Sequence, residues 1–129
     1  MVTRLLGGVP LPPAALLVCR ILFFCWIAFV VYASLTPVDF DSVDFPHVDK
    51  LMHFAIHGFN VLFVAIVFPS ARLYIYGLLF VFLLGPTIEL LQSLTPDRSA
   101  SLADQVANTL GFFVAFLLVR FYRRQVETS

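Results

Sequence analysis

Charged residues are scarce in this chain: they make up 12% of its 129 residues, and eight Lys and Arg balance eight Asp and Glu. Soluble domains contain about 25% charged residues, so this composition excludes an ordinary soluble enzyme domain. The zero net charge removes the basic surface that nucleic-acid binding requires, and we expect no nucleic-acid partner. Cysteine is equally rare, because Cys19 and Cys25 are the only two, and their spacing forms no zinc-type pair.

Hydrophobic residues fill the remaining positions, with 60% of the chain apolar, 16% aromatic and a mean hydropathy of +0.95. A helix needs about 20 apolar residues to cross a bilayer. Stretches close to that length lie at about residues 14–35, 51–68, 73–94 and 103–122. They lack the alternation of strands. The sequence therefore predicts an all-α polytopic membrane bundle of four transmembrane helices, with residues 1–129 as a single domain.

The basic residues predict the orientation. With four spans both termini lie on one side, and that side carries six arginines: Arg4, Arg20, Arg72, Arg120, Arg123 and Arg124. The opposite side carries only Lys50 and Arg98. By the positive-inside rule both termini are cytoplasmic, in a multi-pass protein of the cytoplasmic (inner) membrane. A cleaved signal peptide is the alternative for the first span, but its apolar run exceeds the usual core of about 7–15 residues. Arg20, inside this span, is expected to snorkel to the cytoplasmic headgroups.

Polar residues mark the start of the second span. Asp49, His53 and His57 are spaced by four residues, so they share one face of a helix, and Lys50 lies beside them. A charged side chain at the centre of a span costs about 2.5–3.5 kcal/mol on insertion scales. Such residues are therefore candidates for function, although a satisfied core histidine is an ordinary alternative for His57.

Two further polar groups lie in the third and fourth spans. Glu89 and Gln92 share a face near the end of the third span, and Asp104 and Asn108 share a face at the start of the fourth. Ser101 and Asp104 have the spacing of a helix capping box. With the predicted orientation, all three groups lie near the outer leaflet. The sequence therefore predicts a polar pocket there, although Glu89 could instead form a structural ion pair with Lys50 or Arg98.

We expect this pocket to bind its ligand through Asp49, Lys50, His53, Glu89, Gln92, Arg98, Ser101, Asp104 and Asn108. Candidates for catalysis are His53, Glu89 and Asp104, because imidazole and carboxylate groups transfer protons. No metal or cofactor is expected. Asp49, His53 and His57 extend over about 12 Å of one helix, which is too long for all three to bind one ion at about 2.0–2.2 Å. Two of these residues together with Glu89 or Asp104 remain an alternative metal set.

Together these motifs resemble the VanZ-like family of small bacterial membrane proteins. The matching residues are Asp49-Lys50-x-x-His53-Phe54, then Glu89-x-x-Gln92, then Pro96-x-Arg98-x-x-Ser101-x-x-Asp104-x-x-x-Asn108-x-x-Gly111. The family often has tyrosine one turn after the first histidine, where this chain has His57. The resemblance implies four or five spans. It also implies an association with resistance to the glycopeptide teicoplanin, which binds cell-wall precursors outside the membrane, but no particular reaction.

Three functions are compatible with these features. We favour an envelope protein that binds or modulates an anionic lipid or a lipid-linked cell-wall precursor through Lys50 and Arg98, and so influences teicoplanin susceptibility. The alternative is a membrane-embedded enzyme that acts on a lipid phosphate or ester by acid–base catalysis, and the sequence does not decide whether the protein is an enzyme. A transport role would need a dimer, because no internal repeat is present. Membrane lipids are the expected partners, and Gly77, Gly85 and Gly111 would permit a homo-oligomer.

Overall fold

A computed structural model describes residues 11–36, 47–96 and 101–127, with side chains to residue 125. It contains four helices: α1 (Pro13–Leu35), α2 (Val48–Val67), α3 (Ala71–Ser93) and α4 (Leu102–Glu127). All four are long and apolar enough to cross a membrane. The described residues contain no strand. The predicted all-α fold with four membrane-spanning helices is therefore confirmed.

The helices extend beyond the apolar stretches that predicted them. α2 begins at Val48, so Asp49 and Lys50 lie in its first turn, and α4 continues to Glu127. Helices α1 to α3 contain 23, 20 and 23 residues, which corresponds to about 30–35 Å of rise and matches the hydrocarbon thickness. α3 begins with a capped turn, in which Ser70 Oγ accepts a hydrogen bond from the Leu73 N–H at 3.3 Å.

The distribution of apolar side chains is that of a protein surrounded by lipid. A small core contains Phe23, which is fully buried and packs edge-on against the rings of Phe63 and Phe68. Many large apolar side chains point outward, Leu22 and Leu117 among them. In water such an apolar exterior would cause aggregation, whereas a bilayer solvates it.

α2 and α4 form the most extensive helix pair in the bundle. Their closest approach is at Gly111 of α4, where an added Cβ would collide with the backbone carbonyl oxygen of Phe54 on α2. Gly77 has the same role between α3 and α2, since a Cβ there would lie 2.8 Å from Val64 Cγ1. Both glycines pack closely against another helix of the same chain, and at Gly111 this packing brings the polar first turns of α2 and α4 face to face.

Arg20 lies at the other end of the bundle from these polar turns. Its Nε donates to the carbonyl oxygen of Val67, the last residue of α2, at 3.4 Å. The final carbonyl groups of a helix have no partner within the helix and carry partial negative charge, so a guanidinium there is favourable. Arg20 therefore reaches the end of α2 on the side that the arginines predict to be cytoplasmic.

Candidate functional site

The three polar groups that the sequence predicted to converge meet at one end of the bundle. The N-terminal part of α2 contacts that of α4 through Lys50 Nζ and Asp104 Oδ1, which are 3.1 Å apart. The C-terminal part of α3 joins them where Glu89 Oε2 accepts a hydrogen bond from the Ser101 N–H at 2.9 Å. We refer to the resulting group as the polar cluster, which consists of Asp49, Lys50, His53, Glu89, Asp104 and Asn108.

Lys50 lies between two carboxylates. Its Nζ donates to Asp49 Oδ2 at 2.5 Å as well as to Asp104 Oδ1, and its side chain is 34% exposed whereas that of Asp104 is 14% exposed. An ammonium group has three donors, so one N–H is left for another acceptor. The predicted alternative, an ion pair of Lys50 with Glu89, does not form, because Asp49 and Asp104 take its place.

The polar cluster carries an excess of negative charge. Asp49, Glu89 and Asp104 contribute three carboxylates against the single ammonium of Lys50, which gives −3 + 1 = −2 with a neutral His53. Arg98, which the sequence placed in the same pocket, lies outside the described residues. The sequence predicted a cationic site for phosphate, but in the described cluster the carboxylates outnumber the single cation, Lys50.

His53 is oriented by Asn108. Its Nδ1 lies 3.0 Å from Asn108 Oδ1, and because an amide oxygen only accepts, this contact assigns the ring proton to Nδ1. The other ring nitrogen, Nε2, faces the acids, with Asp104 Oδ2 at 3.8 Å. That distance is too long for a hydrogen bond. The imidazole is thus held through Nδ1, and its Nε2 lies near a carboxylate without a hydrogen bond to it.

Glu89 is buried, with 8% of its surface exposed. One oxygen, Oε2, accepts from the Ser101 N–H, but Oε1 has no hydrogen-bond partner among the described residues. Leaving a buried polar atom unpaired costs about 1–3 kcal/mol, and more when it is charged. Burial of such an oxygen is favourable only when a hydrogen-bond donor or a cation contacts it.

Only half of the capping box predicted at the start of α4 is present. Ser101 Oγ accepts from the Asp104 N–H at 3.4 Å, as expected for a helix cap. The reciprocal bond is absent within this turn, because the Ser101 N–H donates to Glu89 and the Asp104 carboxylate turns to Lys50. Because Glu89 accepts the Ser101 N–H and Lys50 donates to Asp104, the Asp104 carboxylate does not cap α4 and instead belongs to the polar cluster.

Two further predicted residues lie at the edge of this group. Gln92 connects α3 to α1, since its Nε2 donates to the carbonyl oxygen of Ser34 at 2.8 Å. His57 is 3% exposed, and its Nδ1 lies 3.3 Å from the carbonyl oxygen of His53. Its Nε2 has no hydrogen-bond partner in the described part of the chain. The described contact of Gln92 therefore links two helices, whereas His57 extends the polar face of α2 inward.

An apolar cavity of about 270 Å³ opens between α1, α2 and α3. Its lining consists of Trp26, Phe29, Val30, Ala33, Ser34, Asp49, Met52, His53, Ile56, His57 and Ile88. The walls are mainly aliphatic and aromatic, whereas the ionisable lining residues all come from the polar face of α2. Because Asp49 and His53 belong to both the cavity and the polar cluster, the two form one continuous site.

A buried polar pair that the sequence did not predict lies next to this cavity. Trp26 Nε1 donates to Asn60 Oδ1 at 2.7 Å, and Asn60 is fully buried. Asn60 follows His57 by three residues, so the helical spacing that selected Asp49, His53 and His57 continues to it. That spacing was the available signal for Asn60, whereas no local pattern identified Trp26 as its partner.

Four apolar helices with a polar cluster at one end define a multi-pass membrane protein. The chain belongs to the VanZ/LLP1 family, whose model matches residues 15–123. The match covers most of α1 and α4, all of α2 and α3, and every residue of the polar cluster, so the resemblance found in the sequence is confirmed. No curated protein and no solved structure matches the chain.

Proposed function

We propose that this protein binds or modulates a lipid of the bacterial cell envelope, either an anionic lipid or a lipid-linked cell-wall precursor. The observation that supports this function is the apolar cavity of about 270 Å³, which ends at Asp49 and His53 of the polar cluster. A hydrocarbon chain would lie against Trp26, Phe29 and Ile56, and the headgroup would reach the cluster. Pockets of this kind, mainly apolar with a few convergent polar groups, are typical of ligand sites.

The headgroup contacts follow from the chemistry of the cluster. Lys50 has one N–H left for a phosphate oxygen, and Arg98 is proposed as the second cation. Asp49 and Asp104 weaken the attraction of Lys50 for an anion, but they accept hydrogen bonds from hydroxyl groups. A headgroup that combines sugar hydroxyls with phosphate, as a lipid-linked cell-wall precursor does, therefore fits this charge pattern better than a bare phosphate.

The arginine distribution predicts that the polar cluster faces the outer leaflet of the inner membrane. Cell-wall precursors are exposed to teicoplanin on that side. We propose that Asp49, Lys50, His53, Glu89, Gln92, Arg98, Ser101, Asp104 and Asn108 serve this binding, and that binding alters susceptibility to the drug.

Lipid binding is tested by filling the cavity. Native mass spectrometry of the purified full chain, with added phosphatidylglycerol or a polyprenyl-diphosphate sugar, should detect a bound lipid. Ile56→Trp should reduce the bound fraction, because Ile56 lines the cavity. Leu83→Trp is the control, since Leu83 is exposed on the outside of α3. Equal binding by both variants would show that the cavity does not hold the lipid.

The cellular role is tested by growth in teicoplanin. Cells that express the wild type at matched levels are compared with cells that express Glu89→Gln or Arg98→Ala. We expect wild-type expression to raise the inhibitory concentration and both variants to lose the effect. An unchanged inhibitory concentration with wild-type protein in the membrane would contradict the proposed role in resistance.

A membrane-embedded enzyme is the second candidate, favoured by the orientation of His53. Its Nε2 would take a proton from a water that attacks a lipid ester or phosphate, and a carboxylic acid at Glu89 or Asp104 would protonate the leaving group. Ser101 is poorly suited as a nucleophile, because its hydroxyl oxygen caps α4. Incubation of purified protein with both lipids, followed by mass spectrometry of the products, tests this candidate. Product formation that is abolished in His53→Gln supports it, and an absence of product rejects it for these two lipids.

A further inference from the structure

We propose that His53, Glu89 and Asp104 form a binding site for one divalent metal ion. They come from α2, α3 and α4, and one nitrogen or oxygen donor atom from each lies within 4.8 Å of the other two. This differs from the expectation that the protein holds no metal. The inference does not depend on lipid binding, and its test uses metal ions alone.

The three side chains share an arrangement in which one donor atom is anchored while the other remains available. His53 is held through Nδ1 by Asn108, and Nε2 is available. Asp104 is held through Oδ1 by Lys50, whereas Oδ2 faces His53. Glu89 is held through Oε2 by the Ser101 N–H, and Oε1 has no partner in the described residues. Ligands of metal sites are commonly fixed in this way by an outer set of hydrogen bonds.

Glu89 provides the observation that distinguishes this group from an ordinary acidic cluster. Its side chain is more than nine-tenths buried, so water does not readily compensate the unpaired Oε1. A metal ion bound between Glu89, His53 and Asp104 would supply that oxygen with a positive partner. The same ion would accept the Nε2 lone pair of His53, whose ring Asn108 orients through Nδ1.

The distances allow coordination after a small contraction. Ligand atoms at about 2.0–2.2 Å from a tetrahedral zinc ion are roughly 3.3–3.6 Å apart. His53 Nε2 and Asp104 Oδ2 are 3.8 Å apart, so they would approach each other by only a few tenths of an ångström. The widest pair, at most 4.8 Å apart, would close by up to about 1.5 Å, which side-chain rotation can provide.

The formal charge of the described residues in the polar cluster suits a divalent ion. Its three carboxylates and one ammonium sum to −2, and an M²⁺ ion brings this sum to zero. Lys50 does not need to leave, because it contacts Asp104 through Oδ1 and the ion would take Oδ2. One imidazole and two carboxylates suit Zn²⁺ and Mn²⁺, and three protein ligands leave a coordination position for an exogenous group.

The test is metal binding by the full chain purified in detergent and stripped with a chelator. Isothermal titration with Zn²⁺, Mn²⁺ and Mg²⁺ chlorides, together with elemental analysis after gel filtration, should give about one Zn²⁺ or Mn²⁺ per chain. His53→Gln, Glu89→Gln and Asp104→Asn should each weaken binding by more than about 100-fold, and Asn108→Ala by roughly 10–100-fold. Circular dichroism and gel filtration identify the variants that fold.

One matched substitution serves as the control. His57→Gln changes the neighbouring histidine on the same face of α2. It should bind the ion as the wild type does, within about threefold. The proposal is overturned if folded wild-type protein binds none of the three ions in the micromolar range. It is equally overturned if folded His57→Gln loses binding as fully as the ligand variants do.

Visible spectra with Co²⁺ give a second measurement, which needs none of the three ligand variants to fold. Binding at the proposed site should produce d–d bands in the wild type and in His57→Gln. Folded Asn108→Ala should give shifted or weakened bands, because Asn108 orients the ring of His53. Identical spectra for Asn108→Ala and the wild type would contradict ligation by His53.

Discussion

Gly111→Ala is expected to separate α2 from α4 and to destabilise the bundle. The added Cβ would collide with the carbonyl oxygen of Phe54 and would lie 2.8 Å from its carbonyl carbon and 3.0 Å from its Cα. These are backbone atoms, so no side-chain rotation relieves the overlap. The two helix axes must move apart by roughly 1 Å, and such overpacking costs about 1–3 kcal/mol.

The opposing effect of the substitution is smaller. Alanine has a higher helix propensity than glycine by about 0.8–1.0 kcal/mol, so the net loss of unfolding free energy should be roughly 0.5–2 kcal/mol. Gly58→Ala is the matched control on α2, because its Cβ would lie 3.4 Å from the nearest atom, the carbonyl oxygen of Gly111. That variant should be as stable as the wild type or slightly more stable.

Thermal unfolding in detergent, followed by circular dichroism, measures both variants. The separation of α2 from α4 should also lengthen the contact between Lys50 and Asp104 and that between His53 and Asn108, so Gly111→Ala should bind metal ions more weakly. The reasoning is refuted if Gly111→Ala unfolds at the wild-type temperature, or if Gly58→Ala is destabilised to the same extent.

Three other predictions concern separate parts of the bundle. Trp26→Phe should lower the unfolding free energy by about 1–3 kcal/mol, since it leaves the buried Asn60 Oδ1 without its donor, and adding Asn60→Leu should restore part of the loss in a double-mutant cycle. Gln92→Leu should lower the unfolding temperature, because it removes the hydrogen bond to the Ser34 carbonyl oxygen. The affinity for Zn²⁺ should stay unchanged, and a loss of Zn²⁺ affinity would place Gln92 in the metal site. A C-terminal green fluorescent protein fusion should fluoresce and an alkaline phosphatase fusion should be inactive if both termini are cytoplasmic, and the reverse pattern would place the polar cluster at the inner leaflet.

Much of this architecture was predictable from local sequence. The lengths of the four apolar stretches predicted four spans, because a helix must satisfy its own backbone hydrogen bonds within the hydrocarbon. The spacing of Asp49, His53 and His57 predicted a shared face for the same reason that any residues four apart lie one above the other on a helix. With four spans, α2 and α4 must run in the same direction, so their first turns were expected at the same end.

The partner of each polar side chain was not predictable in this way. Glu89 was a candidate partner of Lys50, yet Lys50 contacts Asp49 and Asp104. Ser101 donates its N–H to Glu89 rather than completing a capping box. These choices depend on how far each helix is rotated about its axis and how closely the axes approach, which Gly111 limits between α2 and α4.

The sequence by itself determined the four helices and the faces on which their polar residues lie, because hydrophobic length and helical periodicity are properties of one segment at a time. Tertiary structure alone decided that His53, Glu89 and Asp104 present donor atoms to a common point, and that Trp26 reaches Asn60. The physical reason is that the rotation and spacing of packed helices result from contacts between distant segments, and the spacing of residues within a single helix carries no information about them.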